Sequence, residues 1–166
     1  MAISTIGANS LAQSRILTAV QQPAGAVLQV VNATYSTQVS NTSNTYVDTG
    51  LTATITPTSS TSKILVLVSQ NGIYKTAANI ANETDLILLR NGTSLTPSIP
   101  FAGTLGETSV ATTNSVTASF NYLDSPATTS AVTYKTQFAS RNITATVYVQ
   151  YANVSVSAIT LLEISA

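Results

Sequence analysis

The sequence predicts an all-β domain of about eight strands, a sandwich or jelly roll, and three observations carry that expectation. Apolar residues alternate with hydroxyl residues in run after run, turn formers punctuate the runs, and no convincing helical period interrupts them beyond the first two dozen residues. At 166 residues the chain is long enough to bury one substantial core.

In chain order, residues 1–26 read as an arm outside that core. "NSLAQSRILTAVQQ" suits a short amphipathic helix capped by Ser10, or an extended segment, and Pro23 and Gly25 end it. An isolated arm needs something to hold it, so Ile3, Ile6, Leu11, Ile16 and Leu17 are its candidate docking contacts on a larger assembly.

Residues 27–166 form the domain. Strand runs recur at "AVLQVVNATY", "TYVDTGLTATI", "KILVLVSQNGIY", "ETDLILLRNGT", "TSVATTNSVTASF" and "VSAITLLEIS", with Pro57, Asn71-Gly72, Asn91-Gly92, Pro97, Pro100, Gly103 and Gly106 as turn formers. The clearest alternation is "NITATVYVQYA", which sets Ile143, Ala145, Val147, Val149 and Tyr151 on one face. "SFNYLDSPATTSAVTYKTQF" reads as a hairpin: Phe120 and Tyr122 oppose Val132, Tyr134 and Phe138 across a Pro-containing turn. "ILVLV" departs from alternation and is apolar on both faces, and the last strand stays apolar to the C-terminus. Both features predict an oligomer, with Ile64, Val66, Val68 and Leu161 as candidate interface residues.

Composition removes several function classes. Charged residues are 7% of the chain, the formal net charge is zero, and Ser and Thr make up roughly three residues in ten, so solubility rests on hydroxyls and amides. Without clustered Lys and Arg there is no electrostatic footing for nucleic acid or an anionic membrane. "AISTIGANSLAQSRILTAV" lacks the basic and apolar regions of a signal peptide and is no membrane span, so neither secretion nor anchoring is expected from it.

The chain holds no His and no Cys, which excludes a histidine base, histidine or thiolate metal ligation, thiol nucleophiles and disulfides. Glu83 and Asp85 lie two apart on one strand face, with Glu107 and Asp124 as distant carboxylates; solvated strand carboxylates are the simpler reading. No calcium loop, phosphate-cradling loop or nucleophile elbow is present. The expectation is a protein that is not an enzyme and needs no cofactor or metal. Loop residues Tyr74, Lys75, Asn79, Asn82 and Phe101 are the candidate contacts if the loops bind a receptor.

From Val27 to Glu163, the succession "DTGLTATITP", "SKILVLV", "YLDSPATTSAVTY" and "ITLLEI" resembles a family of small β-proteins from tailed bacteriophages, described as fibre, decoration or receptor-binding proteins. The resemblance implies an eight-stranded jelly roll like the tumour-necrosis-factor and C1q heads, a homotrimer, and an N-terminal segment attaching it to the particle. It implies no catalytic motif. With only some two dozen residues ahead of the domain there is no room for a shaft. Two readings follow: a trimeric decoration, cement or head-fibre knob on the major capsid protein or another virion protein, and a tail-fibre tip touching a host glycan or protein. Either places the chain on the virion, at the capsid surface or the tail.

Overall fold

The longest strand, β4 (Lys63–Lys75), is the axis of the fold. The computed structural model describes residues 23–75, 83–96, 115–141 and 146–166, together with the backbone of 99–102. The chain adds ten further strands: β1 (Val27–Tyr35), β2 (Val39–Asn41), β3 (Val47–Ile55), β5 (Thr84–Arg90), β6 (Thr93–Ser94), β7 (Ile99–Ala102), β8 (Val116–Asp124), β9 (Val132–Ser140), β10 (Val147–Val149) and β11 (Ser157–Ile164). The arm contacts Ile3, Ile6, Leu11, Ile16 and Leu17 lie outside the described residues.

All pairings are antiparallel and form two facing sheets of four columns each. In the first sheet β1 and β2 lie end to end at one edge; β11 and β10 lie end to end beside them; then come β4 and, at the other edge, β8. In the second, the columns are β3, β9, β5, and β6 with β7. Successive columns in the chain belong to opposite sheets except where β5 turns into β6. There the loop is Asn91-Gly92, both residues left-handed at φ 49° and 86°, as a two-residue hairpin with matching twist requires.

Three expectations change at this point. "DSPATTS" is no hairpin turn: β8 pairs with β4 in the first sheet and β9 pairs with β3 and β5 in the second, so the segment crosses between sheets. Phe120 and Tyr122 pack, from the first sheet, against the core cluster that includes Tyr134 of the second, instead of pairing with it along one sheet. Asn71-Gly72 is no turn either, but a bulge inside β4, where the register to β8 shifts between Gln70 and Ile73. Gly72 sits at φ +64°, and a Cβ there would lie 2.3 Å from the backbone nitrogen of Tyr151, so only glycine lets the chain at 151–155 rest on the strand. The long alternating strand at "NITATVYVQYA" is in the described residues only Val147–Val149, because Gln150 turns left-handed at φ 56° and a single 3-10 turn follows at Tyr151–Asn153.

Alternation decides what is buried. Ile64, Val66 and Val68 of β4, Leu51, Ala53 and Ile55 of β3, Val132 and Tyr134 of β9, and Ile159 and Leu161 of β11 make the larger core cluster; Ile73, Leu86, Phe138, Val147 and Val149 make a second. A chain of buried polar groups separates them. The Leu51 amide donates to Thr49 Oγ1 (3.1 Å), the Thr49 and Thr136 hydroxyls share a 2.6 Å bond, and Thr136 Oγ1 donates to Gln70 Oε1 (3.2 Å). Gln70 Nε2 and Gln150 Nε2 then donate to Ser157 Oγ at 2.9 and 3.1 Å.

Two carboxylates tie the rims. Asp124 of β8 accepts Arg90 Nη1 on both oxygens at 2.9 Å and the Tyr134 hydroxyl at 2.7 Å, joining the first sheet to the second. Burial, then that hydrogen bond, pushes the Tyr134 phenol well above its ordinary value. Glu163 of β11, fully buried, accepts from Gln29 Nε2 and from the amide and hydroxyl of Thr58, so it holds the β3–β4 loop against β1 and β11. Burial raises its carboxyl, but the hydrogen bonds outweigh burial and hold it below the usual glutamate value.

Replacing Thr136 by Val keeps the shape and strips both bonds of the polar chain at its centre; the urea midpoint should fall by the equivalent of about 1–3 kcal/mol with an unchanged slope. An unaltered midpoint would show that the chain contributes nothing to stability. For Glu163 the folded pKa lies below the ordinary 4.5, so its stabilisation is full above pH 4.5 and disappears as pH falls through the folded value. E163Q should therefore melt below the native protein at neutral pH, and thermal scans should show that gap closing as pH drops below 4.5. A gap constant with pH would contradict the assignment.

Candidate functional site

The two outer faces of the sandwich differ in kind. On the second sheet, Asp48 accepts Lys135 Nζ and Gln137 Nε2, and Thr54 and Thr133 share a hydroxyl bond, which makes the β3–β9 part of that face polar; Ile87 and Leu89 of β5, register partners of Gln137 and Lys135, are buried beside it. These hydrogen bonds, with the ion pair, hold the Asp48 carboxyl below its ordinary value although burial works against them. Beside them is a shallow hollow of about 170 Å³ lined by Asp48, Gly50, Leu51, Thr52 and Lys135.

On the first sheet the residues of opposite parity point out, and register aligns them in rows. Val30 lies beside Leu162, Leu162 beside Leu65, and Leu65 beside Leu123, a row of four aliphatic side chains across four strands. Val30 and Leu123 are 58% and 52% exposed. The next row is Asn32, Thr160, Leu67 and Asn121; the one after is Thr34, Ala158, Ser69 and Ser119. Lys63, at the rim, is the one charged side chain on this face among the described residues.

At the far end of the face stands an aromatic cluster. Tyr148 stacks on Tyr74 at 4.6 Å between ring centroids and 12° between planes, and Tyr151 meets Tyr74 edge-on at 5.0 Å. Gln38 Oε1 accepts from the Tyr74 hydroxyl and from the Ala152 amide, and Asn153 Oδ1 accepts from the Gln38 amide. Those bonds brace Ala152 and Asn153, and the Gln150 amide donates to Asn71 O; all three residues are left-handed, a conformation that costs L residues energy. The turn they shape leads into Val154 and Val156, which are exposed beside the cluster.

Thus every large apolar side chain that is exposed among the described residues (Val27, Val30, Leu67, Leu123, Val154 and Val156) belongs to the first sheet or to the turn feeding β11.

The residues singled out from sequence fare unevenly. Ile64, Val66, Val68 and Leu161 are at most 3% exposed and packed within one chain's own core, so they are not available to a second copy. Their strands do have a second apolar face, made by Leu65, Leu67 and Leu162, which parity alone could have separated from the first. Tyr74 and Lys75 are no loop residues: both are buried at the end of β4. Asn79 and Asn82 lie outside the described residues, as does the side chain of Phe101. Glu83 pairs with Arg141, while Asp124 is bound at Arg90, the opposite end of β5, so these carboxylates do not converge.

No protein-family model matches the chain, and no curated protein matches it. Among solved structures, it is similar to part of VP2 in the subviral particle of infectious bursal disease virus, at 13% identity and a TM-score of 0.48 over 84% of this chain and 34% of that one. It is also similar to part of the insecticidal delta-endotoxin Cry8Ea1 from Bacillus thuringiensis, at 15% identity and a TM-score of 0.42 over 76% and 19%. The chain spans about a third or less of the length of these proteins.

The inside and outside of the first sheet are separable by single substitutions. Leu161→Ala should cost about 2–5 kcal/mol in urea unfolding, as a buried truncation does. Leu123→Ala on the outer face should stay within about 0.5 kcal/mol of the native protein. Equal losses would mean that the two faces are misassigned.

Proposed function

We propose that the protein is a structural component of a tailed-bacteriophage particle, a trimeric jelly-roll knob that decorates or cements the head and is held there by its N-terminal arm. The observation that carries this reading is the one-sided surface: the first sheet presents a partly apolar face with exposed aliphatics and, among the described residues, the single charge of Lys63 at its rim, while β3 and β9 of the second present a paired-charge, hydroxyl-rich face. A protein that works alone in water has no use for such asymmetry, whereas one that sits on a neighbour needs it.

Eight columns divided four and four, with links crossing between sheets, support the jelly-roll layout expected from the resemblance to phage decoration and fibre proteins. The mechanism is multivalent attachment: each copy contributes a modest contact through face and arm, and the trimer multiplies them by effective concentration. The tail-fibre-tip reading loses support because Tyr74 and Lys75 are buried; it keeps the exposed Val154 and Val156, with the half-buried Tyr148 and Tyr151 beside them, as contacts.

Two measurements test the proposal. Light scattering on the purified chain should give about three times 17.2 kDa, and a monomer at all concentrations would remove the trimer. Immunogold labelling of purified particles should decorate the head; gold at the tail tip would favour the receptor reading, and unlabelled particles would overturn the virion assignment altogether.

A further inference from the structure

Asn-Gly is the pair in which the backbone most readily attacks a side-chain amide, because glycine has no Cβ to hinder its own nitrogen. The chain holds this pair twice, at Asn71-Gly72 and Asn91-Gly92, and the fold treats the two in opposite ways.

Asn71 is locked. Its Nδ2 donates to Val156 O and its Oδ1 accepts from Ser69 Oγ (3.1 Å), while its backbone N–H donates to Ser157 Oγ and its carbonyl accepts from the Gln150 amide, both at 3.0 Å. Gly72 is buried under the chain at 151–155, where even a Cβ would strike the Tyr151 nitrogen. Bringing Gly72 N onto Asn71 Cγ would break these bonds and displace that chain.

Asn91 is open. Both loop residues are exposed, and nothing lies within 4 Å of where a Cβ on Gly92 would stand. The bond that closes such a loop joins the flanking pair, Arg90 and Thr93, so the Gly92 N–H lies outside it. The Thr133 amide donates to Asn91 Oδ1 at 2.9 Å. When a nucleophile adds to Cγ, negative charge develops on Oδ1, where a fixed N–H already points.

We propose that Asn91 is a self-modification site, which deamidates slowly in the folded protein while Asn71 does not. The Gly92 nitrogen gives up its proton to hydroxide and attacks Asn91 Cγ. The Cγ–Nδ2 bond breaks, Nδ2 takes a proton from water and leaves as ammonia, and a cyclic imide remains. Water then opens that ring: at Cγ it yields an aspartyl residue, at the main-chain carbonyl an isoaspartyl residue whose backbone runs through Cβ and Cγ. Either product adds a carboxylate beside the Thr133 amide and takes the formal net charge below zero. The isoaspartyl form also lengthens the main chain of a two-residue loop whose twist matches its strands. It therefore loosens the segment after β6, where the Leu95 amide donates to Leu88 O (2.8 Å) and the Leu95 side chain packs against the larger core cluster.

Trypsin separates the two sites, since no Lys or Arg lies between Lys63 and Lys75 or between Arg90 and Lys135. The full-length protein is kept folded at mildly alkaline pH for increasing times and digested, and the 64–75 and 91–135 peptides are compared by mass spectrometry. The same protein in concentrated urea is the reference, with both pairs freed from the fold. In the folded protein Asn91 should convert at least about tenfold faster than Asn71, into aspartyl and isoaspartyl forms, and in urea the two rates should converge. Equal rates in the folded protein, or an Asn91 that stays intact while the urea sample converts, would overturn the proposal. Asn91→Asp carries the new charge on an ordinary main chain and should keep the urea midpoint of fresh protein, whereas the purified isoaspartyl form should unfold at lower urea. Equal midpoints for those two would remove the loosening of the loop.

Discussion

The fold depends on the buried polar chain from Thr49 through Thr136 and Gln70 to Ser157 and Gln150. It crosses the sandwich at one level, and the irregularities of the strands gather at that level. The β3 register shifts between Asp48 and Thr52, the β4 register between Gln70 and Ile73, and β10 gives way to β11 between Gln150 and Ser157. On β9, Thr136 stands between Tyr134 of the larger core cluster and Phe138 of the smaller. An apolar core would let strands slide by two residues at little cost, but a buried amide that loses its partner is expensive, so the polar chain sets one register for both sheets. Packing supplies most of the stability, and this chain supplies its uniqueness.

Charge placement follows the same economy. With so few ionic groups, the protein uses Arg90 and Asp124 to join the two sheets and Lys135 with Asp48 to dress the second. Little is left for the first sheet, whose edge strands β1 and β8 also lack the Lys and Pro that usually blunt a free edge. The second sheet blunts its own edges, with a bulge in β3 and with the short strands β6 and β7. The side with a single charge, Lys63 at its rim, is therefore also the side with open edges, and a surface of that kind is suited to an interaction.

How much of this was legible in the residues depends on the kind of signal. Strands came through well, because a period of two is local: the runs at β1, β3, β4, β5, β8, β9 and β11 are where alternation puts them. Pairing did not, since it is decided by non-local contacts. "DSPATTS" has the same turn chemistry whether it closes a hairpin or arches between sheets, and only the partners of Phe120 and Tyr134 distinguish the two. Asn-Gly likewise serves a turn at Asn91 and a bulge at Gly72, because both need only a left-handed glycine. The outer apolar row was half visible: "ILVLV" showed that both faces of β4 are apolar, but the contributions of Val30, Leu162 and Leu123 needed the register of four strands.

The last step concerns strength. A row of four aliphatic side chains with hydroxyl rows behind it is a weak contact surface taken alone, and an isolated knob gains little from it. On the proposed reading, that weakness suits a component added to a finished shell. A sticky face would join copies in solution before they met the particle, while a modest one needs several simultaneous contacts to hold. The hydroxyl rows Asn32–Thr160 and Thr34–Ala158–Ser69–Ser119 keep the face soluble between its two apolar ends. On the proposed reading, composition and outer face are then one design: solubility from hydroxyls, adhesion from a few aligned side chains, and strength from number.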